Sequence, residues 1–205
     1  MKQAKTALIT GASSGIGRDL AEIHAEKGGN LVVVARRAEK LNELKSSIEE
    51  KYGVTVKAIV KDLVEENACQ EIFDEVEQEG IIVDYLVNNA GFGGHGTFHE
   101  QDMAFQQKMI DLNIKALTRL TRLFLPGMVE RNRGRILQVA STAGLVPGPL
   151  QAVYFATKSY VISLSQAIAE EVAGTNVTIF SHDTATTETE FMERADLMDT
   201  KMVKS

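Results

Sequence analysis

Residues 6–17, TALITGASSGIG, decide the fold of this chain. A short β-forming run, TALIT, leads directly into glycines spaced G-x-x-x-G-x-G, and the helical pattern RDLAEIHAEKG follows at once. Glycines between a first strand and a first helix let the backbone turn tightly. They also let a pyrophosphate approach the amides at the helix N-terminus, which favours negative charge. A tight turn without a ligand gives the same local pattern, so the rest of the sequence must decide between the two.

The spacing of these glycines differs from the G-x-G-x-x-G of the usual dinucleotide fingerprint. The loop also lacks the Gly-Lys-Ser/Thr ending of a P-loop, so triphosphate chemistry is disfavoured.

The rest of the chain alternates short apolar runs with amphipathic stretches of helical length. The runs lie at 6–10, 30–36, 54–62, 81–89, 134–141 and 176–180, and the helical patterns at 15–28, 38–51, 65–79, 103–131 and 152–173. Several runs are nearly continuous in valine, isoleucine and leucine, which is typical of parallel strands buried on both faces. The pattern predicts an α/β fold with a doubly wound, Rossmann-like parallel sheet, three layers in a single domain over 1–205. Pro126 and Gly127 are expected to bend or break the long helix in its last turn.

Composition excludes several classes of protein. The 205 residues are 44% apolar and 24% charged, and 22 basic against 28 acidic side chains give a net charge of −6. A nucleic-acid binder would show a basic face, whereas the one basic cluster, residues 131–135, fits a solvated helix end. Cys69 is the only cysteine, which rules out an internal disulfide and fits a reducing compartment. With no apolar run of membrane-spanning length, the sequence predicts a cytoplasmic protein without a membrane or nucleic-acid partner.

The second strand ends in Arg36 and Arg37. A site for NAD would place a carboxylate at this strand end to bind the ribose 2′-hydroxyl, whereas a guanidinium can make charge-assisted bonds to a 2′-phosphate. The sequence therefore predicts NADP(H), with Arg36 as the first candidate and Arg37 as the second. Two solvated arginines at a helix start are the alternative.

Five motifs occur in order along the chain: TGASSGIG at 10–17, NNAG at 88–91, Asn113 in DLNIKA, Ser141 after VA, and Tyr154 with Lys158. On these motifs the chain resembles a single-domain short-chain dehydrogenase/reductase from residue 4 to about residue 180. The resemblance implies a nicotinamide cofactor and a catalytic set formed by Asn113, Ser141, Tyr154 and Lys158. It also implies that Asp62 contacts the adenine and that the turn at 88–91 packs along the cofactor. The cofactor-binding residues expected are Gly11, Ser13, Ser14, Gly15, Ile16, Gly17, Arg36, Arg37, Asp62, Leu63, Asn89, Ala90, Gly91, Tyr154 and Lys158.

Tyr154 and Lys158 are four residues apart and share one face of a predicted helix. A free phenol has a pKa near 10 and is a poor base at neutral pH. An ammonium about 4 Å away, at an effective dielectric constant near 20, would contribute on the order of 4 kcal/mol and lower the pKa of the phenol by up to roughly three units. The pair is then expected to exchange protons in carbonyl reduction and alcohol oxidation. Without the other motifs it would be an ordinary surface pair.

Ser141 ends the fifth predicted strand, at the carboxyl edge where ligands bind in doubly wound sheets. Its hydroxyl is expected to hold the substrate oxygen, and the alternative is a serine that stabilises a loop. Asn113 lies inside a predicted helix that asparagine does not favour. The resemblance implies that it distorts this helix and holds a water that links Lys158 to solvent. A plain exposed asparagine is the alternative. Lys158 is also expected to hold the ribose hydroxyls of the nicotinamide half.

Residues 181–205 depart from the family pattern, because they lack the Pro-Gly that normally follows the sixth strand. Thr187 or Thr189 is a candidate for the cofactor contact made there, and the segment is expected to be an atypical substrate cover. The chain also stops at Ser205, about one helix and one strand earlier than the family usually does. Two functions stay open: an NADP(H)-dependent oxidoreductase, or a weakly active or inactive regulatory or scaffold protein of the same fold.

The remaining expectations concern partners and loops. The long apolar helices predict a homodimer or homotetramer. The substrate is expected to be a small-to-medium apolar carbonyl or alcohol lined by Gly93, Gly94, Leu145, Val146, Pro147 and Leu150. His95 and His99 have a spacing that suits a metal but no third ligand nearby, so they are interpreted as loop residues, and no metal is expected.

Overall fold

The fold is a single parallel sheet of six strands between helices, seen in a computed structural model that describes residues 4–182. The order across the sheet is β3-β2-β1-β4-β5-β6, and every pairing is parallel. The strands are β1 Thr6–Thr10, β2 Asn30–Ala35, β3 Val56–Val60, β4 Val83–Asn88, β5 Gly134–Val139 and β6 Val177–His182. The strand order reverses between β1 and β4, which creates the crevice in which such sheets bind their ligands. The predicted doubly wound architecture is confirmed.

The helices occupy the connections between strands, as the alternating pattern predicts. They are α1 Gly15–Glu26, α2 Ala38–Tyr52, α3 Ala68–Gln78, α4 Met103–Ile110, α5 Leu117–Glu130 and α6 Ala152–Glu171. In the described part of the chain, residues 4–182, no helix is both long and apolar enough to cross a membrane.

The sheet separates two apolar cores, because successive residues of a strand point to opposite faces. Leu8 belongs to one core, which includes Ile72 of α3 and Leu120 of α5. Its neighbour Ile9 belongs to the other core, with α1 and with Leu41 of α2. Burial on both faces explains why these strands read as continuous apolar runs in the sequence.

The helical stretch predicted over 103–131 is present as a continuous run from Met103 to Glu130, but it is not α-helical throughout. The structure divides this stretch into α4, a π-helical segment Asp111–Ala116, and α5. Pro126 lies inside α5, which continues to Glu130, so the helix does not break at Pro126 and Gly127. Leu125 and the buried Met128, on either side of this proline, pack on the core. The interruption lies instead at the turn that carries Asn113, which bears directly on the site.

Candidate active site

The glycine turn after β1 is shaped for close contact between backbones. Gly11 has a φ of +67°, a left-handed conformation that other residues adopt only with strain. A Cβ at Gly11 would lie 3.0 Å from the Cα of Ala90, and one at Gly17 would lie 2.6 Å from the carbonyl oxygen of Gly11. Side chains are therefore excluded at both positions, and the first turn of α1 is packed tightly under the loop.

Thr10 joins the glycine loop to the turn after β4. Its buried hydroxyl accepts hydrogen bonds from the backbone amides of Asn89 and Ala90, both at 3.0 Å, and donates to the carbonyl of Val87 at 3.3 Å. The Asn89 side chain returns a bond to the carbonyl oxygen of Thr10 at 2.9 Å. The sequence analysis did not single out Thr10 as a site residue. The feature of the sequence that could have identified Thr10 is a hydroxyl at the end of the first strand, directly before Gly11.

The two arginines after β2 have different surroundings. Arg37 donates to the hydroxyls of Ser13 and Ser14, at 3.1 and 2.8 Å, directly beside the glycine loop. Arg36 instead pairs with Asp62, with 3.6 Å between Nη1 and Oδ2, and its side chain is 63% exposed. The structure thus places the second candidate of the sequence analysis, rather than the first, against the predicted phosphate loop.

The start of α1 keeps hydrogen-bond donors available for an anion. Ser14 is the N-cap residue of α1, yet its side chain makes no capping bond to the helix. The first amides of a helix have no partner within the helix and carry its positive end. Because Ser14 accepts from Arg37 instead, the amides of Gly15, Ile16 and Gly17 are not capped by that side chain.

Asp62 and Leu63 follow β3, at the same edge of the sheet. Asp62 Oδ1 accepts from the amide of Val64 at 3.2 Å, which shapes the turn. Leu63 is buried in the core that also contains Val34 and Ile59. Both predicted residues thus lie on the edge where the cofactor is expected.

Ser141 and Tyr154 are hydrogen-bonded to each other through their side chains. Ser141 Oγ also accepts from the amide of Ala143 at 3.2 Å, at the start of a 3-10 turn, Thr142–Leu145. Tyr154 is buried in the first turn of α6, and this burial raises the pKa of its phenol, while the bond to Ser141 works in the opposite direction. The structure brings together the two hydroxyls that the sequence predicts as catalytic.

Lys158 lies one turn further along α6 and is buried. Its ammonium donates to the carbonyl oxygen of Val139 at 2.8 Å and lies 5.7 Å from the centroid of the Tyr154 ring. Burial lowers the pKa of Lys158 to about 8, because the charged form loses its hydration.

The predicted lowering of the Tyr154 pKa by Lys158 is therefore wrong for the protein alone. The sequence argument used an effective dielectric constant near 20 and counted only the Coulomb attraction of the phenolate to the ammonium. In the structure both groups are buried, and the loss of hydration dominates instead. The phenol consequently keeps its proton throughout the neutral range.

Asn113 is buried at the centre of the π-helical segment and is not a plain surface residue. Its Oδ1 accepts from the amide of Phe92 at 3.1 Å, and its Nδ2 donates to the carbonyl of Phe92 at 2.9 Å and to Thr157 Oγ1 at 3.1 Å. The expected distortion of the helix is present. Because both Nδ2 hydrogens have protein partners, the side chain has no N–H donor left for the water expected from the resemblance.

Thr157 is a site residue that the sequence analysis missed. It is buried on α6, where its hydroxyl donates to the carbonyl of Tyr154 at 2.7 Å and accepts from Asn113. It therefore connects the π segment to the helix that carries Tyr154 and Lys158. A hydroxyl inside the YFATK stretch was the only signal in the sequence, and threonine is common enough in helices that this signal was weak.

Gly91 brings the cofactor edge and the catalytic residues together. A Cβ at this position would lie 3.1 Å from Asn113 Oδ1 and 3.8 Å from Lys158 Nζ. The turn after β4, the π segment and α6 thus meet at one point, above the carboxyl ends of β4 and β5.

Other candidates of the sequence analysis lie apart from this cluster. His95 is exposed in the loop after β4, as is His99. Within the described range 4–182, no group of three or more His, Cys, Asp or Glu side chains is placed to hold a metal ion. Thr187 and Thr189 lie outside the described residues.

Comparison with known proteins points to one family. The family model described as "short chain dehydrogenase" matches residues 5–199. A curated relative, the very-long-chain 3-oxoacyl-CoA reductase of Homo sapiens, is 35% identical over 181 residues, which cover 85% of this chain and 57% of the relative. The chain therefore spans little more than half the length of this relative.

Solved structures with a similar fold include members of the same family. A short-chain dehydrogenase from Sphingobium yanoikuyae in complex with NADPH is 34% identical, with a TM-score of 0.90 over 94% of this chain and 75% of the other. A bulky-bulky ketone specific alcohol dehydrogenase from Comamonas testosteroni is 33% identical, with a TM-score of 0.87 over 91% of this chain and 74% of the other.

Proposed function

The chain belongs to the short-chain dehydrogenase/reductase family, and from that premise we propose that it is an NADP(H)-dependent oxidoreductase of carbonyls and secondary alcohols. The observation that carries the proposal is the hydrogen-bonded pair of Ser141 and Tyr154 with the buried ammonium of Lys158 one helical turn away. Cellular NADPH would favour the direction of carbonyl reduction.

The residues at the carboxyl edge of the sheet fit a dinucleotide. The loop at Gly11 and Gly17 leaves no room for side chains, and Ser14 leaves the first amides of α1 without a side-chain cap, which suits a pyrophosphate. Arg37, held beside Ser13 and Ser14, would bind the 2′-phosphate that distinguishes NADP from NAD. When bound, the cofactor supplies or accepts the hydride.

The proton of the reaction is assigned to Tyr154. Because burial raises the pKa of this phenol, it carries a proton at neutral pH and can donate it to a carbonyl oxygen as that oxygen gains charge. Ser141 would donate a hydrogen bond to the same oxygen and so stabilise the developing charge. Lys158 would hold the ribose hydroxyls and, as a cation, favour the phenolate that forms when the proton leaves.

A tyrosine-to-phenylalanine exchange tests this assignment. Tyr154→Phe removes the hydroxyl and keeps the ring. We therefore expect it to lower kcat/KM for NADPH-dependent ketone reduction by about a thousandfold or more, since both proton transfer and the bond to Ser141 are lost. Binding of NADPH, followed by the change in its fluorescence, should persist.

The matched control lies on the same helix. The hydroxyl of Tyr160 bonds to Thr118 Oγ1 at 3.0 Å, away from Ser141, so Tyr160→Phe should retain ketone reduction. Equal activity of Tyr154→Phe and the unaltered chain would overturn the assignment of the proton. Tight NADPH binding without turnover of any ketone or aldehyde by the unaltered chain would overturn the proposed function itself.

A further inference from the structure

The two hydroxyls assigned to the reaction lie on different segments of the chain. Ser141 is the N-cap residue of the 3-10 turn Thr142–Leu145, whereas Tyr154 lies in the first turn of α6. The hydrogen bond between Ser141 and Tyr154 requires the turn and the helix to keep a fixed separation. The contacts that hold the turn against α6 therefore bear on the reaction.

Gly144 is the point at which the turn contacts α6. A Cβ at Gly144 would lie 2.7 Å from the carbonyl carbon of Lys158 and 2.6 Å from Cδ1 of Ile162, so no side chain fits between the two backbones. Glycine permits this close approach. It has no polar side chain, however, that could fix the position of the turn along the helix.

A hydroxyl of α6 supplies a polar contact at this point. Ser159 Oγ donates to the carbonyl oxygen of Gly144 at 2.8 Å. It also lies 3.1 Å from the carbonyl oxygen of Phe155, one turn back, which is the usual partner of a serine inside a helix. Because a hydroxyl carries one hydrogen, the shorter contact to Gly144 takes the larger share of it. Ser159 thus links the helix to the turn and not only to its own backbone.

Two further bonds continue this link from Gly144 to Ser141. The amide of Gly144 donates to the carbonyl of Ser141 at 2.8 Å, and the amide of Ala143 donates to Ser141 Oγ at 3.2 Å. Two amides of the turn are thereby bonded to Ser141, while the carbonyl of Gly144 is bonded to α6. A shift of Gly144 relative to α6 would consequently move the Ser141 hydroxyl relative to Tyr154.

We propose that Ser159 is a positioning residue for the reaction: by binding the carbonyl of Gly144, it holds the turn that places the hydroxyl of Ser141. The proposal rests on the proposed function and adds a residue that the sequence analysis did not single out. Ser159 acts through the turn, because its hydroxyl is bonded to main-chain carbonyls. Since Ser159 is exposed, its replacement should leave the fold intact.

Ser159→Ala and Ser159→Thr test the role of this hydroxyl. Ser159→Ala releases the carbonyl of Gly144, so we expect kcat for NADPH-dependent ketone reduction to fall by roughly three- to tenfold, the usual weight of one hydrogen bond. KM for NADPH should change little, since the proposed phosphate contacts at the glycine loop and Arg37 are not altered. Ser159→Thr keeps a hydroxyl on the same Cβ and should largely restore kcat.

Ser163→Ala is the matched control. Ser163 lies one turn further along α6 and is also exposed. In the part of the chain that the structure describes, residues 4–182, no hydrogen bond joins its side chain to the turn. The substitution therefore removes the same hydroxyl from the same face of the helix. We expect its kcat and its pH dependence to equal those of the unaltered chain.

The pH dependence of alcohol oxidation separates positioning from a general loss of packing. Oxidation requires the phenolate of Tyr154 to accept a proton, so kcat/KM rises with pH until the phenol has ionised. The bond with Ser141 lowers the pKa of this phenol. If Ser159→Ala moves Ser141 away, the pKa of the phenol rises and the rising limb of the profile shifts to higher pH. A general loss of packing would lower the rate equally at every pH and leave the limb in place.

The outcomes separate this proposal from the proposed function. A lower kcat and a shifted limb in Ser159→Ala, largely reversed in Ser159→Thr and absent from Ser163→Ala, would support the role of Ser159. An unchanged kcat in Ser159→Ala would overturn it and show that the packing of Gly144 alone holds the turn. A lower kcat with an unmoved limb, or equal losses in Ser159→Thr or Ser163→Ala, would also overturn it and leave the oxidoreductase assignment in place. Absence of turnover on every ketone by the unaltered chain would overturn the proposed function itself.

Discussion

At the scale of single residues, the two groups at the centre of the site are the Tyr154 phenol and the Lys158 ammonium, and both are buried. Tyr154 and Lys158 share one helix face, as their spacing predicts. Burial nevertheless determines the direction of both pKa shifts, because each charged form loses water when the helix packs on the sheet. The sequence identified the residues and could not show how deeply they would be buried.

The two arginines after β2 also differ in their surroundings, and this difference can be tested directly. Arg37→Ala removes the guanidinium beside Ser13 and Ser14, so we expect it to weaken NADPH binding by about tenfold to a hundredfold, the usual effect of losing a hydrogen bond to a charged group. NADH binding should change much less, since that cofactor lacks the 2′-phosphate. Titration of each variant with both cofactors measures the effect.

Arg36→Ala and Arg122→Ala complete this comparison. Arg36 pairs with Asp62 at the surface, so its removal is expected to have a smaller effect on the NADPH-to-NADH ratio. Arg122 is exposed on α5 and serves as the control for loss of a positive charge. An unchanged ratio in the Arg36→Ala, Arg37→Ala double variant would contradict the NADP(H) assignment.

At the scale of secondary structure, the strands and the extent of the long helix were predictable, and the π-helical segment inside that helix was not. The short apolar runs located all six strands, and their bounds, apart from those of β1, differ from the observed ones by one or two residues. The π-helical segment left no periodic signal, because one additional residue in a turn hardly alters the spacing of apolar side chains over a long helix. Asn113 was the only sign, and it acts through contacts with Phe92 and Thr157 that lie far away in the sequence.

The contact between the π segment and α6 gives a prediction at this scale. Thr157→Val keeps the shape of the side chain and leaves one buried Nδ2 hydrogen of Asn113 without its acceptor. We expect the free energy of unfolding to fall by about 1–3 kcal/mol. We also expect kcat to fall while KM for NADPH changes little, since the fault lies in the placement of Asn113 and Tyr154. Urea denaturation and steady-state kinetics measure the two effects.

Thr118→Val is the appropriate comparison for Thr157→Val. Thr118 also bonds to a side chain of α6, Tyr160, but this bond is only partly buried. Wild-type stability and kcat in Thr157→Val would show that the π segment and α6 are held together by packing alone.

At the scale of the whole molecule, the buried ammonium of Lys158 influences the stability of the fold. Its pKa falls from 10.5 to about 8, so at neutral pH the native state holds a charge that the unfolded chain would hydrate better. A difference of about 2.5 units corresponds to about 3 kcal/mol of lost stability. Between pH 8 and 10.5 the unfolded state binds more protons than the native state, so stability from this group rises with pH.

Lys158→Met should separate stability from activity. At pH 7 we expect the variant to be more stable by about 2 kcal/mol, slightly less than the full amount because the carbonyl of Val139 loses its donor. Near pH 10 the gain should largely vanish, since the native lysine is then neutral. Ketone reduction should be lost at every pH. Urea denaturation at pH 7 and pH 10 measures the stability gained by the variant. An equal gain at both pH values would contradict the predicted pH dependence.

The sheet lies between two apolar cores, and this arrangement determines how the effects of two substitutions on stability combine. Leu8 and Ile9 are neighbours in the chain, yet they belong to cores on opposite faces. Truncations of these two residues should add almost independently, whereas Leu8 should be coupled to Leu120, more than a hundred positions away in the same core. Distance along the chain is therefore a poor guide to epistasis in this fold, and the face of the sheet is a good one.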